Sequence, residues 1–163
     1  MTTPLTGEER GRRIKQYASA PERLREALAS VPAEAMKWRP EPGEFSVHEI
    51  VCHCADSETN AYSRIRYLLT EEKPVIVGYD PDVWAREFDY ANHPLEAALA
   101  TVEAVRGNTA PILGRLPNEA WAKEGTHTES GRYTASDWLR IYSEHLEEHI
   151  GQINRTVDAW RSR

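Results

Sequence analysis

The segment Phe45-Ser46-Val47-His48-Glu49-Ile50 fixes the start of a helix more firmly than any other stretch of this 163-residue chain. A Ser side chain can accept from the free backbone N–H three residues on, while Glu49 reaches back to the N–H of Ser46. Phe45 and Ile50 occupy the two positions of a hydrophobic staple across that cap. The same arrangement recurs at Thr134 and Asp137, flanked by Tyr133 and Trp138. Two long helices are therefore predicted to begin near Val47 and Ala135. Thr6 with Glu9 opens an N-terminal helix; Ser19 with Glu22 around Pro21 predicts that it breaks or kinks before resuming through Leu24 and Leu28 to about Val31. Pro94 with Glu96 opens another helix, along which Leu95, Ala98, Leu99, Val102 and Val105 recur at helical spacing and Pro111 bends the end. These four main helices predict an all-α bundle in a single domain spanning residues 1–163.

The stretch between the second and third helices, EEKPVIVGYDPDVWAREFDYANH, contains Val75, Ile76 and Val77, which could form a strand. With no partner strand evident, it reads as a long ordered loop followed by a short helix from Pro81. PNEAW at 117–121 predicts a helical turn, and AKEGTHTESGRY a polar loop before the last helix.

A net charge of −6 argues against a surface that tracks phosphates, which needs clustered Lys and Arg, so nucleic acid is excluded as a partner. No stretch approaches the roughly 18 apolar residues that cross a bilayer, and the start, MTTPLTGEERGRRIK, has no apolar leader core. A soluble cytoplasmic protein without a membrane partner is expected. Cys52 and Cys54 are the only cysteines; on a helix they diverge by about 160° and cannot share an ion, so Cys54 reads as a small core residue.

Candidate chemistry lies in the histidines. His145 and His149 form an HxxxH pair whose side chains stand within about 40° of rotation and one turn of each other, so both can reach one ion. Two imidazoles on one helix bind weakly, and His53 is the best candidate for a third ligand. At about 100° per residue His53 shares a polar stripe with Asp56, Ser57, Asn60 and Arg64, beside the apolar stripe of Val47, Ile50, Val51, Cys54, Ala61, Ile65 and Leu68. His145, His149 and Gln152 make a similar ribbon next to Leu139, Leu146, Ile150, Ile153 and Val157. Ribbons at a bundle's interior edge are where facing helices build metal or ligand sites. His48 lies about 140° from His53 and should point elsewhere, while His93 and His127 read as surface residues.

The segments FSVHEIVCHCADSETNAYSRIR, LTEEKPVIVGYDPDVWA and GRYTASDWLRIYSEHLEEHIGQI resemble the YfiT-like members of the DinB superfamily. The resemblance implies an up-and-down-type four-helix bundle, metal ligands at His53, His145 and His149, a bound divalent ion, zinc or nickel, and a homodimer. It leaves the reaction open, since the superfamily includes thiol S-transferases, a mycothiol-dependent isomerase and hydrolases. Where similar proteins often carry further histidines, this chain has Cys52, Glu58, Glu147, Glu148 and Gln152.

Three neutral imidazoles leave coordination positions free, as in a catalytic rather than a structural site. The favoured expectation is an enzyme that activates a low-molecular-weight thiol as cosubstrate for transfer to a small electrophile. Asn60 and Arg64 would bind the substrate or an acidic group of the thiol, with a surface or dimer ion pair as the other role open to Arg64. Asp56, three residues after His53, could take a proton or serve as a buried hydrogen-bond partner. The alternatives are a metal-dependent hydrolase that activates water and a non-catalytic, stress-associated dimer with a saturated ion and no adjacent pocket.

Overall fold

The computed structural model describes residues 4–163. Residues 1–3, on which the reading of the chain's start partly rests, lie outside the described residues. Among the described residues five α-helices form: α1 (Gly7–Ala29), α2 (Val47–Thr70), α3 (Pro81–Glu87), α4 (Leu95–Leu113) and α5 (Ala135–Arg161). All three predicted capping boxes that open long helices are made, at Thr6, Ser46 and Thr134. The short α3 starts at Pro81, capped by Asp80, whose side chain accepts from the backbone of Asp82 and Val83.

Four helices build the bundle. α1 packs against α5 and α4, and α2 packs against α4 and α5, so the perimeter runs α1–α4–α2–α5 and the chain neighbours α1 and α2 lie across a diagonal. This order sets α2 beside α5, which brings His53 opposite the HxxxH pair. Both apolar stripes read from the sequence point inward: Ile50, Val51, Cys54, Ile65 and Leu68 of α2 and Leu139, Leu146 and Ile153 of α5 are buried. Trp138 is fully buried and donates its indole N–H to the Ala61 carbonyl at 2.9 Å, which locks α5 to α2. Cys52 and Cys54 are free, buried thiols.

The expected break at Pro21 does not occur, and α1 runs through it. A proline inside a helix deprives the carbonyl four residues back of its donor. Here that carbonyl belongs to Tyr17, and Arg106 of α4 supplies the missing donor through Nη1 at 2.8 Å. Ser19, read as a second cap, instead bonds back to the Lys15 carbonyl as a mid-helix hydroxyl.

The two regions read as loops contain a small sheet. Val75–Ile76 form β1, which pairs in parallel with β2 (Glu124–His127), and β2 forms a hairpin with β3 (Gly131–Thr134). The partner of Val75 and Ile76 comes from 51 residues downstream, out of a polar segment without the alternation that marks a strand. Gly125 permits the pairing, since a Cβ there would run into the Pro74 carbonyl. Gly131 turns the hairpin with φ of 78°, a conformation that favours glycine. His127 is buried on β2 rather than surface-exposed. His48 is buried too: it points away from His53, as expected, but it donates through Nε2 to the His93 carbonyl at 2.8 Å. Among the described residues no helix is long and apolar enough to cross a membrane.

Candidate metal centre

α2 and α5 bring His53, His145 and His149 together, each offering a nitrogen within 4.8 Å of the others. The Nε2 atoms of His145 and His149 are 3.2 Å apart. Nitrogens about 2.0–2.1 Å from a zinc ion in tetrahedral coordination stand about 3.4 Å from one another, so the α5 pair is already at ligand spacing. The His53 ring packs edge-on to His149, with centroids 4.8 Å apart, and closes the triangle.

Outer contacts orient these rings. Gln152, one turn beyond His149, takes the His149 Nδ1 hydrogen at 2.9 Å and leaves Nε2 bare. Ser57 of α2 lies 3.2 Å from His145 Nε2 and can donate its hydroxyl there. The Nδ1 atoms of His53 and His145 are buried and have no hydrogen-bond partner. Burial, seconded by the neighbouring His149, pushes the His53 pKa down to about 4. Burial also lowers His145 well below its ordinary value and lowers His149. All three are neutral imidazoles near pH 7, the form that ligates a metal. A donor set of neutral imidazoles with an orphaned buried nitrogen fits a divalent ion of the zinc or nickel kind.

The triangle opens on a cleft of about 630 Å³ lined by Phe45, His53, His149, Gln152 and Arg155, with Glu44 and Asp82 on its walls. His145 is not among the residues that line it.

The remaining residues singled out in the sequence take other partners. Asp56 accepts the Tyr90 hydroxyl in a short hydrogen bond. Asn60 donates its amide to the Asp56 carbonyl at 2.8 Å, within its own helix. Arg64 bridges the Tyr142 hydroxyl at 2.9 Å and the Val77 carbonyl at 2.7 Å, tying α5 and the β1 segment to α2. Of the acids on α5, Glu147 is paired with Arg23 and Glu144 with Arg13.

One buried pair was missed. Glu58 and Arg106 have no solvent exposure and pair at 2.6 Å, with Glu58 Oε1 3.9 Å from His145 Nδ1. Desolvation pushes the Glu58 carboxyl up, against the pull of Arg106. The signal was present: Glu58 falls inside the apolar arc of α2, and Arg106 continues the Leu99 and Val102 stripe of α4. Two opposite charges, each on the inward face of its helix, point to a buried pair.

Comparisons agree with this architecture. The DinB superfamily pattern matches residues 16–153. A protein of Oceanobacillus iheyensis named "putative metal-dependent hydrolase" is 31% identical over 140 residues, covering 86% of this chain and 81% of its own. YfiT of Bacillus subtilis, which carries the same description, is 25% identical over 150 residues, covering 91% and 84%. The solved structure of Bacillus subtilis YfiT, described as an unusual four-helix bundle topology, superposes with a TM-score of 0.88 at 24% identity, covering 96% of this chain and 90% of that one. With the superfamily pattern spanning residues 16–153 of its 163, the chain belongs to the DinB superfamily.

Proposed function

We propose that this protein is a divalent-metal-dependent enzyme that activates a low-molecular-weight thiol for transfer to a small electrophile. The observation that carries this reading is the make-up of the centre: among the described residues, the cluster able to hold an ion consists of three histidines and no carboxylate. Bound by His53, His145 and His149, zinc or nickel would supply Lewis acidity that lowers the pKa of a thiol or water brought to it. Asp56 is held by Tyr90 and Glu58 by Arg106, so neither is a free base beside the rings. A thiol that ionises near neutral pH needs no such base, whereas water benefits from one. Phe45 gives the cleft an apolar wall, and Arg155 gives it a cation that makes no ion pair among the described residues.

Asp56, Asn60 and Arg64 take supporting parts in this reading. Tyr90, which Asp56 fixes, packs against Phe45 on the cleft wall with ring centroids 6.4 Å apart. Tyr142, which Arg64 fixes, packs against His145 at 5.9 Å. We further propose a cytoplasmic homodimer. A reducing compartment suits free thiols, and exposed Val75, Val77 and Phe88 supply apolar surface for a second copy.

The second reading is a hydrolase, favoured by the names that similar proteins carry. The open cleft weighs against a purely structural ion. The deciding assay incubates zinc- or nickel-loaded protein with a haloaromatic electrophile and a panel of thiols, with and without chelator. Conjugation that needs both metal and thiol supports transfer. Metal-dependent cleavage of an ester without thiol would replace it with hydrolysis, and a protein that takes up no divalent ion would end both readings.

A further inference from the structure

The two histidines of the HxxxH pair differ in what holds their outer nitrogens. His149 gives its Nδ1 hydrogen to Gln152 at 2.9 Å. His145 turns Nε2 toward Ser57 and His149, each at 3.2 Å, so Nε2 is the nitrogen on the side of the triangle, and an imidazole that ligates through Nε2 must carry its hydrogen on Nδ1. That Nδ1 is buried and has no hydrogen-bond partner, and neither has the buried Oε2 of Glu58. The two groups face each other, with Oε1 3.9 Å from Nδ1. This is about 1 Å beyond a hydrogen bond, within reach of a side chain with three rotatable bonds. Buried N–H groups and carboxylate oxygens are seldom left unpaired.

Arg106 determines where the Glu58 carboxylate can sit. Its Nη1 donates to the Tyr17 carbonyl at 2.8 Å, and its Nη2 donates to the Tyr142 carbonyl at 2.9 Å and to Glu58 Oε1 at 2.6 Å. One α4 side chain thus touches α1, α2 and α5, and it presents the carboxylate to the back of the His145 ring.

We infer that Glu58 is a positioning residue of the metal centre: pinned by Arg106, it accepts the Nδ1 hydrogen of His145 and so fixes the tautomer and ring orientation that aim Nε2 at the ion. This inference rests on the metal centre proposed above and assigns a role to a residue outside the ligand set. Carboxylates behind ligand imidazoles raise ligand basicity, and their loss typically weakens metal affinity 10- to 100-fold.

The test combines zinc titration with ¹⁵N NMR of the histidine rings. Glu58→Asp keeps a charge for Arg106 but withdraws the carboxylate, and Glu58→Gln keeps the shape but removes the charge. Both are expected to bind Zn²⁺ about 10- to 100-fold more weakly than the wild type. In the wild type, His145 should carry its hydrogen on Nδ1 as a downfield, slowly exchanging resonance that disappears in the variants, while that of His149 persists. Wild-type zinc affinity in the folded variants, or a His145 protonated on Nε2, overturns the inference. If neither variant folds, the wild-type tautomer decides. The metal-free protein reports that tautomer as well, so failure of zinc to bind at all would be distinguishable as failure of the proposed function.

Discussion

Arg106 Nη2 stands 2.6 Å from Glu58 Oε1 at the centre of the bundle, and neither side chain has any solvent exposure. Taking two charges out of water is costly, and removing one partner leaves the other buried and unpaired. Arg106 also supplies the donor that Pro21 withholds from the Tyr17 carbonyl. Arg106→Met should therefore lower stability by about 3–5 kcal/mol in urea unfolding. Glu58→Leu with Arg106→Met should recover much of that loss, since an apolar pair of similar volume carries no desolvation cost. A single variant as stable as the wild type would show that the pair contributes nothing to the fold.

Metal-free protein should lose stability as pH falls from 6.5 toward 4. His53 has a folded pKa depressed to about 4 by burial, against 6.5 for the exposed group. Between those values the unfolded chain holds a proton that the folded chain lacks, so protons favour unfolding. The contribution is fully present above pH 6.5 and reaches a loss of about 3 kcal/mol near pH 4. His145 and His149 shift in the same direction. Unfolding midpoints from pH 7.5 to 4.5 measure the slope, and His53→Ala should flatten it.

A divalent ion that binds only the folded chain adds stability by mass action. At a free concentration 100 times its Kd the gain is about 2.7 kcal/mol, which for a domain of this size corresponds to a rise in Tm of about 5–10 °C. Zinc or nickel should produce that rise in the wild type and chelator should reverse it. His53→Ala, His145→Ala and His149→Ala should each abolish the rise and the stoichiometric metal content. Retention of both by any one variant would remove that histidine from the ligand set.

Local chemistry made some elements legible in the sequence and hid others. Ser46 with Glu49 and Thr134 with Asp137 are self-contained caps, so α2 and α5 could be placed to the residue, and with them the rotational positions of His53, His145 and His149. The β1–β2 pairing was hidden because a parallel partner can lie anywhere along the chain, and Glu124–His127 has neither alternation nor β-branched enrichment. The unbroken passage of α1 through Pro21 was hidden for a related reason: the donor that satisfies the Tyr17 carbonyl belongs to α4, 89 residues along the chain from Tyr17. Glu58 and Arg106 were each visible as a charge on an apolar stripe, but the bond that joins them exists only once α2 and α4 pack.

Asp56 is the residue for which sequence position and structure suggest different parts. Three residues after His53, it sits where a proton acceptor would serve, yet its carboxylate takes the Tyr90 hydroxyl, which burial and that bond make hard to ionise. An acid already committed to a neighbouring phenol is a poor general base. Asp56→Asn keeps an oxygen for Tyr90 and should leave metal content unchanged and turnover within about tenfold of the wild type. Loss of a true general acid or base costs typically 10²- to 10⁴-fold. The measurement is kcat against pH for both proteins with metal and thiol saturating. A drop of 10²-fold or more, with the acidic limb of the profile abolished, would return Asp56 to the catalytic set and strengthen the hydrolase reading.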